Sequence, residues 1–119
     1  MDPASRFADY LAAERGLSPS TVATYTAEAR SFLAFFEEER GATGPGEAAD
    51  DAAGPLQDEE PPAVGAASPA DVIAWMVKRQ LEGLDPRTLA KSTSAIRSFF
   101  RFLVLEGEAD ANPARQVDS

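Results

Sequence analysis

The sequence predicts an all-α fold of four helices, and three observations predict it. Four segments space their apolar residues at helical intervals, and none alternates with the two-residue period of a strand. Three of the four open on a capping side chain followed by proline: Ser18-Pro19, Ser68-Pro69 and Asp85-Pro86. The cap accepts from free amides of the first turn, and proline's fixed φ suits the first helical position. Glycines stand where three of the helices should end, at Gly16, Gly83 and Gly107. The helices are expected at about 5–15, 19–39, 69–82 and 86–106. With 119 residues, 1–119 should form one domain.

The first helix places Phe7, Tyr10 and Leu11 on one side. In the second, Val22, Tyr25, Ala29, Phe32, Leu33 and Phe36 fall on one arc at about 100° per residue. Ser20, Thr24, Ala27 and Ser31 fall opposite, a face of hydroxyls and methyls that suits solvent or close approach to another surface. Phe35 lies outside the core arc, where it could meet the first helix or a partner domain. The third helix adds Asp71 three residues after its Ser68 cap, in capping-box position.

Between the second and third helices, residues 41–67 are rich in Gly, Pro and Ala and hold two large apolar residues, Leu56 and Val64. This composition predicts a long, flexible acidic loop that cannot offset its ordering entropy. The formal net charge is −9. Residues 37–60 carry −8 of it, with nine acids against Arg40, while residues 1–36 carry −1 and residues 61–119 balance. Such a loop can screen a basic surface, or be an insertion tolerated at small entropic cost; the second is the preferred reading.

The fourth helix divides most sharply. Leu89, Thr93, Ile96, Phe99, Phe100 and Leu103 form the inner arc. Arg87, Ala90, Lys91, Ser94, Arg97, Ser98 and Arg101 form the outer one, with four cations and no acid. A solvated helix usually mixes signs and gains from Glu–Lys pairs a turn apart. Lys and Arg neutralise phosphates, Arg can also fork onto guanine, and short hydroxyls permit close approach. The bland alternative is a plain solvated face.

The chain has no cysteine and no histidine. Disulfides, thiolate chemistry, His-dependent nucleophiles and His-ligated zinc are excluded, and no metal site or cofactor is expected. Paired carboxylates occur only in the acidic loop, which cannot hold catalytic geometry. Tyr10 and Tyr25 lie on apolar arcs and read as core, so no catalytic residue is assigned. No apolar run approaches the roughly 20 residues of a membrane span, and no signal peptide opens the chain, so a cytoplasmic protein is expected.

Two blocks carry a family resemblance. Leu17, Ser18, Pro19, Thr21 and Tyr25 match a Leu-Ser-Pro-x-Thr motif with Tyr four residues on. Ser94 to Phe100 match a Ser-Ala-(Leu/Ile)-Arg-Ser-Phe-(Phe/Tyr) core, followed by Asn112-Pro113. Over about four-fifths of its length the chain resembles the N-terminal core-binding domain of XerC/XerD-type tyrosine recombinases and phage integrases. It departs from them at Glu37 to Ala67, usually a short crossing, and at Ser92 and Thr93, usually a cation and a leucine.

The resemblance implies a small orthogonal, SAM-like bundle that clamps a recombination half-site through its second and fourth helices. The catalytic domain, with its nucleophilic Tyr, would belong to a longer parent recombinase and is absent here. Phosphate contacts are expected from Arg87, Lys91, Arg97, Arg101 and the helix starts at Ser18 and Asp85, with closer contacts from Ser20, Thr21, Thr24, Lys91 and Ser94. Expected partners are double-stranded DNA and, as in the family's tetramers, other recombinase subunits. The rival reading is a protein-interaction module for recombinase self-assembly, working through an exposed Phe35, an exposed Phe102 and the first helix.

Overall fold

The computed structural model describes residues 1–43 and 64–117. Helices α1 (Pro3–Ala13), α2 (Pro19–Thr43), α3 (Pro69–Leu81) and α4 (Pro86–Leu105) form a bundle, with a short 3₁₀ turn at Val64–Ala66. There is no strand among the described residues.

Local chemistry sets the helix starts. Asp85 accepts from the Thr88 amide at 2.8 Å. Ser68 and Asp71 form a reciprocal capping box: Ser68 Oγ accepts from the Asp71 amide at 3.2 Å, and Asp71 Oδ2 accepts from the Ser68 amide at 2.8 Å. Ser18 Oγ accepts from the Thr21 amide at 3.3 Å. The first helix begins earlier than about residue 5, because Asp2-Pro3 is a fourth cap-plus-proline start. Asp2 accepts from the amides of Ala4 and Ser5 at 3.1 and 3.3 Å and from the Ser5 hydroxyl at 2.6 Å. The Ser5 hydroxyl, foremost, holds the Asp2 carboxyl below its ordinary value of 3.8; the Thr88 amide does the same for Asp85.

At the other end, α4 closes in a Schellman motif. The Glu108 amide donates to the Leu103 carbonyl at 2.8 Å and the Gly107 amide to the Val104 carbonyl at 3.1 Å. Gly107 adopts a φ of 77°, where a side chain would be strained.

The core is largely aromatic. Phe32 of α2 meets Trp75 of α3 and Phe100 of α4 edge-on, each at 5.6 Å, and Phe36 at 6.1 Å. Phe7 of α1 meets Phe99 edge-on at 5.2 Å. Leu11, Val72, Ile96 and Leu103 fill the spaces between them and are fully buried. Dispersion and removal from water together give each such side chain about 1.5–3 kcal/mol.

Phe35 and Phe102, expected to be exposed, are both buried. The helices cross where an isolated helical arc cannot register it. Helix α1 lies over the end of α4 and covers Phe102 with Phe7 and Tyr10, at 5.8 and 5.0 Å. Phe35 packs beside Phe32 at 6.4 Å. The exposed large apolar side chains of the helices are instead Ile73, Val77 and Leu81 on α3 and Val104 and Leu105 on α4.

The segment expected to be a loop over 41–67 is structured at both ends. Residues 41–43 continue α2, Val64–Ala66 forms the 3₁₀ turn, and Ala67 is buried. Gly65 lies so close beneath the Glu108 carbonyl that a Cβ there would be 1.8 Å from its oxygen. Residues 44–63, and with them most of the acidic loop, lie outside the described residues.

Candidate nucleic-acid interface

A polar network holds the inner side of α4. Glu28 of α2 accepts from Arg79 Nη2 of α3 through both carboxylate oxygens at 2.8 Å, and from the Ser92 hydroxyl of α4 at 2.8 Å. Trp75 Nε1 donates to Ser31 Oγ at 3.2 Å, so the small face of α2 partly seats α3. Ser92 and Thr93 thereby find inward roles: Ser92 completes the Glu28 network, and the buried Thr93 hydroxyl donates to the Leu89 carbonyl at 3.1 Å. With three helices tied together beneath it, the outer face of α4 is rigidly presented.

That face carries Arg87, Lys91, Ser94 and Arg101 exposed, with Arg97 and Ser98 half-buried. Ser20 and Thr24 on α2 are exposed as well, whereas the Thr21 hydroxyl takes the Ser18 hydroxyl's hydrogen bond at 3.1 Å and belongs to the cap. Ser94, Arg97 and Arg101 come together in a cleft of about 380 Å³, with Tyr25 and Ser98 and with Arg15, Asn112 and Arg115 from outside the helices. Ser20, Thr21, Thr24, Arg87 and Lys91 do not line it.

Arg97 plays a structural part that its helical position does not reveal. Its Nε donates to the Ala114 carbonyl at 3.1 Å and its Nη2 to the Val117 carbonyl. Asn112 reciprocates: its Nδ2 donates to the Arg97 carbonyl at 3.0 Å while its Oδ1 accepts from the Ala114 amide at 2.9 Å. The Asn112-Pro113 turn is thus clipped onto α4. Because the acceptors are neutral carbonyls, the Arg97 charge is left unneutralised.

The cations whose side chains are described divide into two groups. Arg6 pairs with Glu108, Arg30 with Asp2, Lys78 with Glu82 and Arg79 with Glu28. Arg15, Arg87, Lys91, Arg97, Arg101 and Arg115 enter no ion pair among the described residues. Each of those six lies on the outer arc of α4 or lines the cleft. Helical periodicity could not find Arg15 or Arg115, which sit in connections. It placed Tyr25 in the core, and that ring is half-buried, packed on the core and lining the cleft together.

No group of His, Cys, Asp or Glu among the described residues can hold a metal ion, and no helix among them is long and apolar enough to cross a membrane.

Residues 53–107 match the family described as phage integrase, N-terminal SAM-like domain. The tyrosine recombinase XerC of Salmonella typhi is 35% identical over 115 residues, covering 97% of this chain and 32% of the relative. XerC of Methylobacterium sp. (strain 4-46) is 33% identical over 109 residues, 92% of this chain and 29% of the relative. XerD of Listeria monocytogenes serotype 4b (strain F2365) is 25% identical over 113 residues, 95% of this chain and 32% of the relative. The chain thus spans about a third of the length of these relatives. No solved structure matches. Helical bundle, sequence blocks and family match agree in supporting an N-terminal SAM-like domain of the kind carried by XerC/XerD tyrosine recombinases.

Proposed function

We propose that this domain binds double-stranded DNA through the outer face of α4 and clamps a half-site for a site-specific tyrosine recombinase. The observation that carries the reading is the division of cations: six without a carboxylate partner among the described residues, gathered on the α4 face and its flanking cleft. Unpaired cations on one rigid face are suited to neutralising a phosphate backbone. Arg87, Lys91 and Arg101 are the phosphate ligands on α4. Ser94, Ser20 and Thr24 are small enough for the duplex to approach, and the amides at the start of α2 add donors beside Ser18.

Strand cleavage belongs, on this reading, to the catalytic domain of the longer recombinase. The domain's own tyrosines, Tyr10 and Tyr25, pack against the hydrophobic core. Action on DNA places the domain in the cytoplasm, with recombinase subunits as neighbours on the site.

Fluorescence anisotropy with a labelled duplex at several salt concentrations tests the reading. Neutralising about four phosphates gives a log–log slope of affinity against salt near −3.6. Absence of binding even at low salt removes the reading.

A second reading has its own observation. Ile73, Val77 and Leu81 form an exposed apolar stripe one turn apart on α3, with Leu81 at 82% exposure. Such a stripe suits contact with another recombinase subunit. Self-association in sedimentation without DNA, unchanged by charge reversal on α4, favours it.

A further inference from the structure

Resting on the DNA-binding reading, we propose that the cleft beside α4 is a seat for one backbone phosphodiester, and that Arg15 and Arg115 complete it from outside the helix.

The lining suits an anion. Four guanidinium side chains, two serines, Tyr25 and Asn112 make up the wall, and no carboxylate is among them. Like charges converging in one concavity repel, and a bound anion offsets that repulsion. Guanidinium forks fit phosphate oxygens in pairs, and serine hydroxyls can donate to the same group. A cleft of about 380 Å³ admits a phosphate with its sugar linkages, while the neighbouring phosphates stay outside to meet Arg87 and Lys91.

The seat is built across segments. Arg97 and Arg101 come from α4, Arg15 from the connection between α1 and α2, and Arg115 from the turn after Asn112-Pro113. That turn is held by Asn112, whose side chain bonds to both Arg97 and Ala114. Pro113 and Ala114 are buried, which anchors the stretch immediately before Arg115. Asn112 is therefore a positioning residue: it fixes the cleft wall that carries Arg115.

The test uses the 119-residue chain with a duplex probe and with inorganic phosphate. R15Q/R115Q should bind the duplex about tenfold more weakly at about 100 mM salt, with a salt slope shallower by up to about 1, the share of the one phosphate that the cleft holds. R30Q/K78Q removes the same charge from ion-paired positions outside the cleft and should leave the slope within about 0.5 of wild type. N112A should weaken binding and make the slope shallower in the same direction by a smaller amount, although it changes no charge, because Arg115 is no longer held in place. A melting curve establishes that each variant is folded, and R115Q alone, expected to show about half of the R15Q/R115Q slope change, stands in for any that is not.

The phosphodiester seat is overturned if folded R15Q/R115Q keeps wild-type affinity and slope, or if R30Q/K78Q loses as much as R15Q/R115Q. It is overturned too if inorganic phosphate raises the melting temperature of wild type but not of R15Q/R115Q while duplex affinity is equal in both; the cleft is then a free-anion site. In each case a wild-type chain that still binds duplex leaves the DNA reading standing. A wild-type chain that binds no duplex at low salt overturns both.

Discussion

K91E/R101E should weaken duplex binding by about 100-fold or more at about 100 mM salt, with little change in stability. Both side chains are exposed, neither is in an ion pair among the described residues, and the face they share carries no acid. Each reversal removes one phosphate contact and sets a like charge against the backbone. Two reversals at about 1.5 kcal/mol each give the expected loss. Arg97 is a poorer choice for such a test. Its guanidinium holds the Ala114 and Val117 carbonyls, so reversing it would release the C-terminal turn and mix a folding defect with a binding defect. Anisotropy titration, with circular dichroism to establish folding, reads the result. Near-normal binding by K91E/R101E would move the contact surface off α4.

Phe32→Ala should have the largest effect on stability, a loss of about 4 kcal/mol in urea denaturation. The side chain is fully buried and touches rings from three helices: Phe35 and Phe36 on its own, Trp75 on α3 and Phe100 on α4. Truncation removes the apolar transfer gain and leaves a cavity that four stiff rings cannot readily fill. A domain of this size has about 5–15 kcal/mol in total, so the variant should sit near the edge of folding. A loss below about 1 kcal/mol would mean that the aromatic cluster repacks and is not the centre of the core.

Much of this was legible in the sequence, for local reasons. A capping side chain followed by proline acts within one turn, so Ser18, Ser68 and Asp85 mark their helices without knowledge of the fold. Asp2-Pro3 obeys the same rule and was obscured only by its place beside the first residue. The inner and outer arcs of α4 were readable because one helix has one period. Phe102 was not, since its burial depends on α1 crossing above it, and Phe35 lies off the core arc of α2 yet is buried beside Phe32. The candidate interface splits along the same line. Ser94, Arg97 and Arg101 follow from periodicity, while Arg15 and Arg115 reach the cleft from connections whose path only tertiary packing sets. The bonds of Arg97 to a turn nearly 20 residues away carry no local signal at all. Net charge misleads for a related reason. The total of −9 argues against nucleic acid, yet −8 is carried by residues 37–60 of the sequence, and the outer arc of α4 carries no acid.

That α4 is the face that meets DNA is tested most directly by an amide chemical-shift map of the 119-residue chain titrated with duplex at low salt. Shifts should gather at Arg87, Lys91, Ser94, Ser98 and Arg101, extend to Arg15 and Arg115, and fade as salt rises. Shifts confined to Ile73, Val77 and Leu81 on α3, or none at any salt concentration, would contradict it.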